Sequence, residues 1–298
     1  MSFFTIVIPV YNRLELLEEA VNSVLAQTFT GFKLLIVNDG STVENAAARL
    51  DRYRADSRVS VIHQENKERG AARNAGFKQS DSDYVVFFDS DDKMHPDHLQ
   101  ALHEKIIEVN YPDFIASKYF IKNQKGLRGS DLQSMPEGVY DYHVLLNGNP
   151  FACNVCVKRG NPGLKLFVED RKYSIMEDWL FLFQNLRTTT LFLIDKITLT
   201  MNDHEERSMQ SNHDLMVEKK FLAYEWIKST VDISQAEATM LEAHVNYFCA
   251  IHCYAAHERR KALQYLGKTI RLSGLKKKYA VLLLKIVAGR KLLAMIRN

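Results

Sequence analysis

Short continuous apolar runs alternate with helically spaced apolar residues in the first third of the chain. Thr5–Tyr11, Lys33–Val37, Val59–His63 and Tyr84–Phe88 are unbroken rather than alternating, which predicts strands covered on both faces. Between them Leu14, Leu17, Val21 and Val24 recur at helical spacing in Arg13–Gln27, and helices are expected over Ala46–Tyr53, Gly70–Gln79 and Pro96–Val109. Asn12, with Glu15 three residues on, is expected to cap the first helix, and Pro96 opens the fourth. The pattern then loosens: strands over Phe114–Ile121 and Phe151–Val157, a helix over Met176–Leu186, and one or two strands over Leu191–Met201. Four helices follow, near Leu215–Lys228, Gln235–His257, Arg259–Leu272 and Lys276–Ile296. The prediction is an α/β fold, a mostly parallel sheet flanked by helices, with a C-terminal helical region. A boundary near Ser208–His213 separates residues 1–210 from 211–298.

In open α/β sheets, ligands lie beyond the carboxyl ends of the strands. The polar residues of this chain fall there: Asn12 after the first strand, Asp39 after the second, Glu65 and Asn66 after the third, Asp89 and Asp91 after the fourth. In Asp89-Ser90-Asp91-Asp92, carboxylates at i and i+2 reach one hard divalent cation, Mn²⁺ or Mg²⁺, which prefers oxygen ligands and shares its shell with phosphates. A solvated acidic turn that caps the next helix has the same composition. Asp39 has a carboxylate to accept from a nucleobase N–H, or to cap a turn. Arg69 and Arg73 begin a helix whose Gly70, Ala71 and Ala72 imply a close approach, and helix N-termini with guanidinium groups suit a phosphate. In Glu177-Asp178-Trp179 a carboxylate at a helix start is either a favourable dipole partner or a general base, and the indole either core or a sugar platform.

Charge changes the picture at one end. The chain has 39 basic and 36 acidic residues, but Arg259–Asn298 holds 12 Lys and Arg and no Asp or Glu. This tail predicts either a peripheral contact with anionic lipid or a helix with a solvated basic face; no aromatic interleaving supports nucleic acid. No signal peptide and no apolar stretch long enough to span a membrane is read, so a cytoplasmic location is expected, peripheral on the membrane where the tail binds lipid. Cys153 and Cys156 spell C-x-x-C and Cys249 and Cys253 are four apart, a combination open to zinc ligation but expected to be packing.

Together these segments resemble the family 2 inverting glycosyltransferases with the GT-A fold. The resemblance rests on Thr5–Asn12 (TIVIPVYN), Ser23–Thr28 (SVLAQT), Ile36–Ser41 (IVNDGS), Ala72–Gly76 (ARNAG), Val86–Asp92 (VFFDSDD) and Glu177–Trp179 (EDW), in the family's order and over about the first 205 residues. It implies a nucleotide-sugar donor, most readily UDP-linked, bound by Pro9, Tyr11, Asn12, Asp39, Arg69, Arg73, Asp89, Ser90 and Asp91. It implies Asp178 as catalytic base, Glu177 and Trp179 at the acceptor, and Asp91, Asp89 and His204 toward the metal, with Asp91 the direct ligand. The acceptor implied is a glycan or a lipid-linked glycan of a bacterial surface polysaccharide. The processive members' Gln-x-x-Arg-Trp motif and membrane spans are missing, which implies transfer of single sugars. A nucleotidyltransferase would want a Gly-rich loop where Val10-Tyr11-Asn12-Arg13 stands. A non-catalytic sugar-nucleotide-binding scaffold would not need all these acids. A homo-oligomer built on the helical tail stays open.

Overall fold

The structure is a computed structural model that describes residues 2–203 and 212–296. Two compact units divide the chain: Met1–Val144 with Asn149–His204, and Leu145–Gly148 with Glu205–Asn298. The boundary expected at 210/211 lies outside the described residues, and Leu145–Gly148 groups with the second unit.

The first unit is built on one ten-stranded sheet. It opens with β1 (Phe4–Val10), α1 (Leu14–Leu25), β2 (Phe32–Asp39), α2 (Ala46–Asp51), β3 (Val59–Gln64), α3 (Glu68–Gln79) and β4 (Tyr84–Phe87). There follow β5 (Lys93–Met94), α4 (His98–Glu108), β6 (Phe114–Asn123), β7 (Gly126–Gly129), β8 (Gly138–Tyr140), β9 (Cys156–Lys158), α5 (Glu177–Leu186) and β10 (Leu191–Asn202). The strand order is β3-β2-β1-β4-β9-β6-β10-β5, with β7 on β6 and β8 on β10. β3, β2, β1 and β4 run parallel; β9 is antiparallel to both β4 and β6, and β10 is parallel to β6. All the long strands therefore point one way, and only the short strands β5, β7, β8 and β9 oppose them. Every residue of β1 is buried, as a strand covered on both faces requires.

Two expectations change on contact with the structure, and three short strands are not foreseen. Asn12 does not cap α1. It takes a left-handed backbone (φ 60°), and its Oδ1 accepts from the amides of Thr42 (2.7 Å) and Val43 (3.2 Å), so it joins the loops after β1 and β2. α1 begins after Arg13 with no side-chain cap, and Glu15 pairs with Arg49 at 2.7 Å instead. The apolar run Phe151–Val157 is a strand only from Cys156; before it Ala152 turns left-handed (φ 52°), with Asn149 bonding to Phe151 N and Ala152 O. The strands β5, β7 and β8 are two to four residues long, too short to leave a periodic signal.

α3 also comes close to the sheet at Gly76, a residue beyond the Gly70-Ala71-Ala72 run. A Cβ on Gly76 would lie 2.3 Å from Val7 Cγ1 in the middle of β1. Gly→Ala inside a helix ordinarily stabilises by about 1 kcal/mol. Here the partner is a stiff β-branched side chain in a buried strand, so Gly76→Ala is expected to destabilise by about 1–3 kcal/mol. Urea unfolding checks this, and a variant as stable as the unaltered chain would show that Val7 yields.

The second unit holds α6 (His213–Thr230), α7 (Gln235–Ala255), α8 (Arg259–Ser273) and α9 (Lys277–Ile296). Its core joins Ala250 and Cys253 of α7 to Ala262 and Leu266 of α8 and to Tyr279, Leu282 and Ile286 of α9. Ser234 and Glu237 form a reciprocal cap that starts α7. The cysteines are all buried, two in each unit; burial pushes Cys249 up to about 12 and Cys253 to about 11, so both are protonated packing groups at neutral pH.

Candidate active site

The carboxyl ends of β1, β2 and β4 and the start of α5 carry the polar groups that the sequence singles out. Asp39, the last residue of β2, is 3% exposed, and its Oδ1 accepts from Gln64 Nε2 (2.8 Å) and the amide of Lys67 (2.9 Å). Those two bonds fix the carboxylate plane without using Oδ2. Pro9 is buried in β1, whereas Tyr11, just beyond the strand, is 44% exposed.

Asp89, Asp91 and Asp92 follow β4, and one carboxylate oxygen from each lies within 4.8 Å of the others. Three anions this close, with Asp91 and Asp92 buried, repel one another unless cations intervene. Two stand here among the described residues. Arg13 Nη1 meets Asp91 Oδ2 at 3.1 Å, and Arg73 Nη2 meets Asp89 Oδ1 at 2.7 Å. Asn202, the end of β10, completes the frame: its amide donates to Asp92 Oδ1 (3.0 Å) and its Nδ2 to the Asp91 carbonyl (2.6 Å). Ser90 is buried between them. An all-oxygen donor set of this density fits a hard divalent cation.

Arg73 links this cluster to α5. It is 1% exposed, and its Nη1 donates to Glu177 Oε1 at 3.1 Å, an oxygen that Arg69 Nε also reaches at 3.1 Å. Arg73 Nε and Glu177 Oε2 are buried with no hydrogen-bond partner among the described residues. Burial raises the Glu177 pKa, but Arg69 and Arg73 outweigh it and hold the carboxyl below its ordinary value. Its neighbour Asp178 goes the other way. Burial, and then the Glu177 charge, push Asp178 up to about 6, against the opposing pull of Arg73 and Arg69. Its Oδ2 accepts from Asn149 Nδ2 (3.2 Å) and its Oδ1 from the amide of Trp179 (2.7 Å). Two adjacent carboxyls with pKa values driven apart are the arrangement in which one stays a fixed charge and the other exchanges protons near neutrality.

α3 is held by a polar clamp to the segment that leads into α5. Asn74 Nδ2 donates to the Phe167 carbonyl (2.9 Å) and its Oδ1 accepts from the Phe167 amide (2.9 Å), while a Cβ on Gly70 would lie 2.9 Å from the Val168 carbonyl. Arg73 also lies over the Phe167 ring, 5.4 Å from its centre.

Among the residues expected from sequence, Asp89, Asp91, Arg69, Arg73, Glu177 and Asp178 thus belong to one ionic network. Asp39 stands at the end of β2, across β1 from the cluster after β4, and Asn12 serves the loops. Trp179 corrects an expectation. It is 1% exposed with its ring edge-on to Phe183 (6.0 Å between centres), so it packs the core and has no open face for an acceptor sugar. His204 lies outside the described residues. Sequence reasoning missed Arg13, Asn149 and Asn202; the available signal was that each is a polar residue at the edge of an apolar run.

The glycosyl transferase family 2 pattern matches residues 5–157. Glycosyltransferase GlyA of Streptococcus pneumoniae serotype 4 is 32% identical over 141 residues, which are 47% of this chain and 18% of that protein. Glycosyltransferase GlyG of the same organism is 33% identical over 121 residues, 40% of each chain. The chain thus spans well under two thirds of the length of these relatives. Among solved structures, S. aureus TarS 1-349 in complex with UDP-GlcNAc is similar with a TM-score of 0.65 and 20% identity, covering 95% of this chain and 84% of that one. The matched region contains β1 to β4, Asp39, Arg73 and the three-aspartate cluster, and on that match the chain belongs to glycosyl transferase family 2.

Proposed function

We propose that this chain is a metal-dependent inverting glycosyltransferase that moves a single hexose or N-acetylhexosamine from a UDP-sugar to a hydroxyl of a glycan or lipid-linked glycan in bacterial surface polysaccharide synthesis. The observation that carries the reading is the bridge made by Arg73, 2.7 Å from Asp89 and 3.1 Å from Glu177. It binds the aspartate cluster and the carboxyl pair of α5 into one preorganised site.

Each residue has a task in an in-line displacement. Asp39, its carboxylate oriented by Gln64 and Lys67, accepts from the base of the donor. Asp91 and Asp89, with Asp92 beside them, would hold Mn²⁺ or Mg²⁺, which when bound offsets the charge of the donor diphosphate. Asp178 takes the proton of the acceptor hydroxyl as that oxygen bonds to the anomeric carbon and the bond from that carbon to the diphosphate oxygen breaks; UDP leaves with the bonding pair. Glu177 keeps a fixed negative charge beside Asp178, which raises the basicity of the group that must take the proton. Arg69 has more than a third of its side chain exposed and can meet phosphate oxygen on the open side of the site.

Donor binding tests the reading directly. UDP-GlcNAc with Mn²⁺ is expected to raise the melting midpoint, with a stabilisation of about 2.7 kcal/mol at a hundredfold excess over Kd. Asp91→Asn is expected to abolish the Mn²⁺-dependent part of that shift. An equal shift in the variant, or no shift with any UDP-sugar, would overturn the assignment.

A further inference from the structure

The helical unit carries a surface that the transfer chemistry leaves unused. α9 presses Tyr279, Leu282 and Ile286 into the core formed with α7 and α8. On its outward side Val281, Leu284 and Val287 are 43%, 64% and 55% exposed, and Leu275, just ahead of the helix, is 67% exposed. Scattered exposed apolar residues are ordinary, but a row along one helix is not. Lys277 lies on the same outward side and Lys285 borders it; both are exposed, and neither has a carboxylate partner among the described residues. The surrounding sequence, residues 259–298, holds 12 Lys and Arg and no acid.

That combination selects one occupant. A second copy of this chain would offer apolar residues but bring the same positive field against itself. A water-exposed basic face would not need the apolar row. An anionic bilayer answers both, with acyl chains for Leu284 and its neighbours and headgroup phosphates for the lysines. We propose that the outward face of α9 docks the protein peripherally on an anionic lipid surface. The inference stands on this face alone and holds whatever sugar is transferred; such docking would bring the enzyme to the surface that carries a lipid-linked acceptor.

Vesicle flotation of the full chain tests it, with phosphatidylcholine vesicles against vesicles containing about 30% phosphatidylglycerol, at low and high salt. Binding is expected only to the anionic vesicles and is expected to weaken with salt. Each lysine near the surface changes partitioning about fivefold, so Lys277→Gln with Lys285→Gln should weaken binding about 25-fold. Val281→Ser with Leu284→Ser should weaken it at least about tenfold, with an unchanged melting midpoint because both residues are exposed. Three outcomes would overturn the proposal: no flotation with anionic vesicles, equal binding to neutral ones, or a dimer in light scattering that the Leu284→Ser change dissociates.

Discussion

Asp178→Asn is expected to lower kcat by about 10³-fold while leaving the affinity for the UDP-sugar within a small factor of the unaltered enzyme. The amide keeps the shape of the carboxylate, and its single acceptor oxygen can keep the bond from the Trp179 amide, while the bond from Asn149 Nδ2 goes with the second oxygen; the site should hold most of its geometry and lose the proton acceptor. Its stability should not fall. A carboxyl with a folded pKa raised to about 6 favours the folded state in its protonated form at low pH; that contribution is lost as pH rises through about 6, and above it the buried charge is a cost that asparagine does not bear. The same shift sets the pH profile. The base works deprotonated, so kcat/KM should fall tenfold per pH unit below about 6 and level off above it. Activity of Asp178→Asn within tenfold of the unaltered enzyme would remove Asp178 as the base. A profile flat from pH 5 to 8 would show that a different group limits the reaction.

The site was legible in the sequence wherever it depended on position along a strand. Asp39, Asp89 and Asp91 come at the close of unbroken apolar runs, and the shortness of those runs and the turn residues that bound them place these acids at strand ends, whichever residues they later meet. Asp178 was legible as a helix start. What the sequence withheld was the pairing. Arg13 lies 78 residues from Asp91, and Arg73 lies 104 from Glu177; no local pattern links partners brought together by the order of strands in a sheet. Arg73 itself reads from sequence as a phosphate ligand, and it is found buried between two carboxylates. The sequence leaves Trp179 open between core and sugar platform, and the helical turn that brings Asp178 to the site carries Trp179 into the core. Asn12 misled for a related reason: a left-handed asparagine before a helix has the composition of a cap and, with its side chain turned to Thr42 and Val43, a different task.

Arg73 is the residue on which the network depends, and Arg73→Met should reveal it through stability as much as through activity. Methionine fills most of the volume over the Phe167 ring but leaves Asp89 and Glu177 without the cation between them. Removing one member of a buried ionic cluster costs about 3–5 kcal/mol, because the remaining charges stay out of water uncompensated. The lower end is expected here, since Arg69 still reaches Glu177 Oε1. A second change separates lost charge compensation from simple misfit. Adding Glu177→Gln neutralises the stranded carboxyl and should recover part of the loss, so that the double variant is more stable than the sum of the single changes predicts. The electrostatics also make a kinetic prediction of definite sign. Arg73 lowers the Asp178 pKa, so its removal should move the acid limb of the pH profile to higher pH. If Arg73→Met unfolds at the same urea concentration as the unaltered chain and keeps the same pH limb, the arginine is a spectator, and the bridge between the aspartate cluster and the base has no energetic content.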